Sequence, residues 1–278
     1  MQPKYIDIHS HVNFKAFKED GDIVLKRALH NDTWVINVGS QFSTSKRAVE
    51  IANKYKEGVF AIVGLHPIHL EESYHDEEET GGEGFRTRVE EFNKDAYREL
   101  LKDPKVVAIG ECGLDYFHCN AESIEKQKKT FREQVSLSQE IGKPLMLHIR
   151  NNPKDFSLNA YRDVLEILKE FPKVKGNVHF FAGSLEEAKA FLDLGFTLSF
   201  TGVITFTHDY DEVIRNTPLH MIMSETDSPY VAPVPYRGKR NEPIYVKEIV
   251  KKIAEIKNLP EEEVAKAIIS NAKRIFRI

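Results

Sequence analysis

Tyr5-Ile6-Asp7-Ile8-His9-Ser10-His11 runs a short apolar segment directly into two histidines. The segment has the composition of a buried strand. Side chains two apart on an extended backbone point the same way, so His9 and His11 can meet one metal ion. The same construction recurs along the chain. Ala61-Ile62-Val63-Gly64-Leu65 leads into His66, Val106-Val107-Ala108-Ile109-Gly110 into Glu111, and Leu145-Met146-Leu147 into His148. Gly176-Asn177-Val178 leads into His179, and Met221-Ile222-Met223-Ser224-Glu225-Thr226 into Asp227. In all, apolar runs predict eight strands, at 5–9, 34–38, 59–63, 106–109, 144–148, 175–179, 196–200 and 221–224.

Helical spacing fills the intervals. Tyr161, Val164, Leu165 and Leu168 form one apolar stripe, and Val246, Ile249, Val250 and Ile253 another. Ser184 with Glu187 reads as a capping box, and Pro260 followed by Glu261, Glu262 and Glu263 opens the last helix. Eight strands alternating with helices over about 250 residues suit either an α/β (β/α)8 TIM barrel or a doubly wound sheet. The metal-capable residues decide for the barrel, because parallel strand ends converge there on one face, where the chemistry of such barrels sits.

The 278 residues carry 43 acidic and 39 basic side chains, a net charge of −4, so any phosphate site must be local. A chain of this size exposes about 12,000 Å² of roughly 46,000 Å² when extended, enough burial for a core without staples. No linker or internal repeat divides it, and one domain over residues 1–278 is expected. Cys112 and Cys119 make no disulfide framework, and no apolar stretch reaches the roughly 18 residues of a membrane span. With no signal-peptide core at the start, the expectation is a cytoplasmic protein. Residues 74–88, with His75, Asp76, Glu77, Glu78, Glu79, Gly81, Gly82 and Glu83, read as a flexible acidic loop. It is either a plain insertion or a lid whose charge repels long duplex.

Singly, each candidate has an ordinary reading: a surface histidine pair, a hydrogen-bonded histidine, a salt-bridged Glu111, a capping Asp227. Together, His9, His11, His148, His179, Glu111 and Asp227 stand at equivalent ends of different strands, which defines a metal site. Four imidazoles and two carboxylates exceed one tetrahedral ion but suit two ions sharing a bridge, for which Glu111 is the best candidate. Such a site activates water between the ions and clamps the oxygens of an in-line displacement, as a phosphodiester requires. Mixed imidazole and carboxylate ligands accept Zn²⁺, Mn²⁺ or Mg²⁺ alike.

His9-Ser10-His11, Gly64-Leu65-His66-Pro67, Gly110-Glu111-Cys112-Gly113-Leu114-Asp115-Tyr116, His148-Ile149-Arg150, His179-Phe180-Phe181-Ala182-Gly183, Glu225-Thr226-Asp227-Ser228-Pro229-Tyr230 and Arg237-Gly238-Lys239-Arg240-Asn241-Glu242-Pro243 occur in that order. The set resembles the motifs of the TatD family of metal-dependent deoxyribonucleases. The resemblance implies an amidohydrolase-type barrel and a metal-dependent hydrolase of DNA phosphodiesters, often a 3′→5′ exonuclease on single strands. It implies His9, His11, Glu111 and Asp227 as ligands of one divalent ion, and Glu111, His148 and His179 as ligands of another. His66 would sit beside the substrate phosphate, orienting it or assisting the leaving oxygen. Arg150 would meet phosphate oxygens, and Asp115 would orient a ligand or a loop. Asp227 is then placed to act as general base. The acidic stretch 74–88 departs from the family's shorter connection.

Arg237, Lys239 and Arg240 read either as a solvated surface loop or, on the face that carries Asp227, as a hold on the nucleic-acid backbone. The second reading is preferred. Phe117, Tyr116, Tyr230 and Tyr236 are candidates for stacking on bases, none assigned singly. The expected partner is DNA, single-stranded or at 3′ ends, acted on by a monomer without an obligate protein partner. Two rivals stand beside this reading. An esterase, lactonase or amidohydrolase on the same barrel often bridges its metals with a carboxylated lysine, where this chain offers Glu111. A noncatalytic nucleic-acid-binding relative would not need the full ligand set.

Overall fold

The computed structural model describes residues 3–72, 74, 75, 85, 86, 88–117 and 119–278. Eight strands pair in parallel and in chain order: β1 (Tyr5–Ser10), β2 (Thr33–Val38), β3 (Val59–Val63), β4 (Val106–Asp115), β5 (Leu145–Arg150), β6 (Gly176–Val178), β7 (Thr197–Phe200) and β8 (Ile222–Ser224). The last meets the first. Asp227 N–H donates to the His9 carbonyl at 2.9 Å, and His11 N–H to the Ser228 carbonyl at 2.8 Å, which joins the ends into a nearly closed barrel. Helices α1 (Gly21–His30), α2 (Phe42–Ala52), α3 (Lys94–Leu100), α4 (Ala121–Ile141), α5 (Ala160–Lys169), α6 (Leu185–Asp193), α7 (Asp211–Asn216), α8 (Val246–Lys257) and α9 (Glu261–Phe276) lie between and after the strands.

The periodicities behave as amphipathic elements must. Tyr161, Val164 and Leu168 of α5 and Val246, Ile249, Val250 and Ile253 of α8 are buried, while Leu165 is half-buried against the same core. At the start of α6, Ser184 Oγ accepts the Glu187 N–H at 3.2 Å and Glu187 Oε2 accepts the Ser184 N–H at 2.7 Å. The barrel is the expected (β/α)8 fold, with one correction to the strand limits. β4 does not stop at 109 but continues to Asp115, paired with β5 from Cys112↔Leu147 to Asp115↔Arg150. Glycines argue against a continuous strand when sequence alone is read. Here a Cβ at Gly113, whose φ is 145°, would stand 2.0 Å from the His148 carbonyl oxygen. Glycine is therefore what lets the two strands run on side by side.

In the acidic segment, Tyr74–His75 pairs antiparallel with Phe85–Arg86. Residues 76–84, on which the expectation of a loop or lid mainly rests, lie outside the described residues. Cys112 and Cys119 are free thiols. No described helix is long and apolar enough to cross a membrane.

The long helix α4 steadies two strand ends with buried glutamines. Gln134 accepts the Leu65 N–H and donates to the Leu65 carbonyl, both at 2.9 Å. Gln127 does the same for Asp115, both at 2.8 Å. Each side-chain amide thus takes the place of a neighbouring strand beside a residue of the catalytic end. Gln134→Leu keeps the shape but strands one buried donor and one buried acceptor, and should cost about 3 kcal/mol in urea unfolding. A loss under about 0.5 kcal/mol would show that Leu65 finds other partners.

Candidate metal centre

Six strands bring their polar residues to one end of the barrel. His9 lies in β1 and His11 just past it, His66 beyond β3, Glu111 within β4, His148 within β5, His179 directly after β6 and Asp227 beyond β8. Glu111 stands in the middle with its oxygens divided between two groups. Oε2 is 3.3 Å from His9 Nε2 and 3.7 Å from His11 Nε2. Oε1 is 3.3 Å from His66 Nε2, 3.0 Å from His148 Nδ1 and 3.2 Å from His179 Nε2. Asp227 Oδ1 joins the first group, 3.3 Å from His11 Nε2 and 3.7 Å from His9 Nε2.

The donor chemistry fits divalent cations. His9 and His11 Nε2 approach each other to 3.1 Å, while ligands at about 2.0–2.2 Å from a shared ion stand roughly 2.8–3.6 Å apart. His11 Nδ1 is turned to the Val38 carbonyl at 2.9 Å, which keeps the proton there and the Nε2 lone pair inward. His148 Nε2 pairs with Asp115 Oδ2 at 2.8 Å and leaves Nδ1 facing Glu111. His179 Nδ1 pairs with Glu225 Oε1 at 3.0 Å and leaves Nε2 facing Glu111. His9 is held by its ring, stacked 3.6 Å from His179. Lone pairs converging on carboxylates in a buried site repel unless protons or metal cations lie between them. Three groups bring donor atoms close enough to hold a metal: His9, His11 and Asp227; His9, His179 and Glu225; and His66, Glu111 and His148.

His66 differs from the rest. Its Nδ1 accepts the Ile68 N–H at 3.2 Å, so the neutral ring carries its proton on Nε2 and points an N–H donor, not a lone pair, at the Oε1 side of Glu111. Burial and the nearby His148 lower its pKa and keep it neutral. Burial and His179 push His9 down to about 3. Burial favours protonation of Glu111, but His66, His179 and His9 around it outweigh that and hold it well below the carboxylate range. Burial also opposes charge on His148 and His179, yet the carboxylates of Asp115 and Glu111 raise the first, and those of Glu225 and Glu111 raise the second well above 6.5. Asp115, pushed up by burial, is drawn down to about 2 by its bond to His148.

Sequence reasoning missed Glu225 and Asp7. Glu225 is fully buried and also accepts the Phe180 N–H at 2.6 Å and the Ser199 hydroxyl at 2.7 Å. Asp7 accepts the N–H groups of Thr226 at 2.8 Å and His9 at 3.2 Å, tying β1 to the Asp227 segment. The signal was a carboxylate inside an otherwise apolar strand run, where only a bonded charge is tolerated.

The cations expected to meet phosphate fall into two kinds. The Arg150 guanidinium lies 3.6 Å over the Phe117 ring and makes no hydrogen bond or ion pair among the described residues. Arg237 lies 3.9 Å over Phe206 and reaches only the Ala232 carbonyl, at 3.4 Å. Lys239 is exposed. Arg240, by contrast, is bound by both oxygens of Asp20 at 2.9 and 2.6 Å and lies over Phe17, so its fork is engaged within the fold. Among the aromatic candidates, Tyr116 is buried and donates to Asp163 at 2.8 Å, and Tyr236 is stacked on Tyr245 at 3.8 Å.

A barrel whose strand ends gather this donor set is a metal-dependent hydrolase in form. Residues 6–277 match the family profile described as TatD related DNase. The chain is 36% identical over 277 residues to the uncharacterized metal-dependent hydrolase YabD of Bacillus subtilis, covering 98% of each. It is 31% identical over 277 residues to a putative deoxyribonuclease TATDN1 homolog of Vairimorpha ceranae, covering 96% of this chain and 92% of that one. The crystal structure of YjjV, a TatD homolog from Escherichia coli, superposes over the whole of both chains with a TM-score of 0.82 at 27% identity. The chain belongs to the TatD family of metal-dependent hydrolases.

His148 and His179, raised above 6.5, hold protons that an ion must displace. Affinity for Mn²⁺ or Zn²⁺ should therefore fall as the pH is lowered and rise as it increases past 6.5, with proton release on binding. Glu225→Ala, which frees the outer nitrogen of His179, should weaken uptake about 10–100-fold. Titration calorimetry in two buffers of different ionisation enthalpy reads both effects. An unchanged affinity in Glu225→Ala would take His179 out of the ligand set.

Proposed function

We propose that the protein hydrolyses phosphodiester bonds of DNA, as a 3′→5′ exonuclease on single strands, using two divalent ions. The observation that carries this reading is the division of Glu111, one oxygen to each donor group. His9, His11 and Asp227 would hold one ion, His148 and His179 the other, and Glu111 would bridge them. Bound there, divalent ions supply Lewis acidity towards a phosphoryl oxygen and lower the pKa of water.

The remaining steps fall to the chain itself. Asp227 keeps part of its carboxylate in contact with solvent, at 13% exposure, and is placed to take the proton of the attacking water. His66, neutral, offers Nε2–H to a phosphoryl or leaving oxygen. Arg150 and Arg237 each rest one face on a phenylalanine and keep guanidinium edges for phosphate oxygens, and Lys239 adds charge along the backbone. Arg240, through Asp20, fixes the segment that presents them. These uncommitted cations in an acidic protein favour a polyanionic substrate over a small ester or amide. The name of the putative deoxyribonuclease relative favours DNA.

A single-stranded oligonucleotide labelled at either end tests this with Mg²⁺, Mn²⁺ or chelator. A ladder from the 5′ label, immediate release of the 3′ label, and two ions per chain by elemental analysis are expected. Asp227→Asn should fold yet lose about 10²–10⁴-fold in turnover. Near wild-type rates in that variant would remove Asp227 as the base. Metal-loaded protein that cleaves no strand would shift the substrate to small phosphoesters, lactones or amides.

A further inference from the structure

We infer that the barrel rim seats unpaired nucleobases on two phenylalanines, Phe156 and Phe206, and so selects single strands over duplex. The inference rests on the nuclease reading above and names how that site would recognise its substrate.

Both rings stand out in solvent, Phe156 at 90% exposure and Phe206 at 44%. Both lie on loops that leave the C-terminal ends of parallel strands, the end that carries the metal donors. Phe156 follows Arg150 in the segment between β5 and α5. That segment is bonded on both sides of the ring. Asn152 Oδ1 accepts the N–H groups of Lys154 and Asp155 at 2.8 and 2.9 Å, and Asp155 Oδ1 accepts the Ser157 N–H at 3.0 Å and its hydroxyl at 2.6 Å. Asn152 Nδ2 anchors it to the Tyr116 carbonyl at 2.9 Å. The loop thus holds a large apolar ring out in water. Phe206 ends the turn Gly202–Thr205 after β7, and Thr205 Oγ1 accepts the Val234 N–H at 2.9 Å, joining this turn to the segment that carries Arg237.

Cations accompany both loops. Arg237 covers one side of Phe206 at 3.9 Å, and the exposed Lys154 precedes Phe156 by two residues in the segment that begins at Arg150. Exposed aromatic plates and uncommitted cations at one end of the barrel suit a single strand, whose bases offer free faces and whose phosphates follow at each step. In a duplex those faces are already stacked, so the plates would find nothing to hold.

Full-length protein with Phe156→Ala, Phe206→Ala, or both, is assayed on three substrates: a single-stranded oligonucleotide, the same strand with abasic sites in its last few 3′ nucleotides, and a blunt duplex. The readout is the ratio of kcat/KM for the base-bearing strand to that for the abasic strand, which does not depend on the fraction of folded enzyme. Each alanine should lower this ratio about 5- to 100-fold, the range of a lost stacking contact, and Phe156→Trp should restore it. The preference for single strand over duplex should fall in parallel. Variants that keep the wild-type ratio, or lose activity equally on base-bearing and abasic strands, would overturn the inference while leaving the nuclease reading intact. Wild-type protein that cleaves none of the three would overturn both.

Discussion

The Glu111 carboxylate is the constraint around which the site is arranged. A buried anion is tolerated only when opposite charge or donors surround it. Here the surroundings are four imidazoles within 3.0–3.3 Å and a fifth at 3.7 Å, drawn from four other chain segments. Gathering them requires the parallel strands to close on themselves and their ends to stand level. The close pairing of β4 with β5 puts Gly113 opposite His148 and Asp115 opposite Arg150, so one run of backbone sets Glu111, the carboxylate that holds His148 and an open guanidinium in register.

Behind this ring stands a further set of groups whose task is orientation. Val38, Asp115, Glu225 and Ile68 each bind the outer nitrogen of one histidine and thereby decide what its inner nitrogen presents. Carbonyl and carboxylate acceptors turn lone pairs inward at His11, His148 and His179. The backbone N–H of Ile68 does the opposite at His66 and leaves a donor facing Glu111. Four similar side chains therefore divide into three that turn a lone pair inward and one that presents a donor, without any difference in residue type. The support reaches further: Asp115, which holds His148, has its own backbone held by Gln127 of α4.

Much of this was legible in the sequence because buried parallel strands read as apolar runs and end abruptly at a polar residue. The barrel, its eight strands and the residues that converge on one face followed from that punctuation. The continuation of β4 was not legible, since Gly110 and Gly113 look like breaks until the neighbouring strand is seen to press against them. Glu225 was hidden for a related reason: it precedes Asp227 by two residues, and nothing local says which carboxylate faces His9 and His11 and which faces His179. Gln127 and Gln134 were invisible, because buried amides on a helix differ from exposed ones only through what they meet.

The basic cluster shows where composition stops informing. Arg237, Lys239 and Arg240 form one charge run in sequence, yet the fold separates them by partner. Arg240 is paired with both oxygens of Asp20. Arg27, Arg98, Arg132 and Arg215 are likewise paired with carboxylates around the protein. Arg150 and Arg237 instead rest on phenyl rings, which steady a guanidinium plane without occupying its hydrogen-bonding edge. A protein of net charge −4 thus concentrates uncommitted positive charge by choosing what its arginines touch. The surrounding acidity does not cancel the effect, because screening limits distant charges while contact partners decide whether a fork is open.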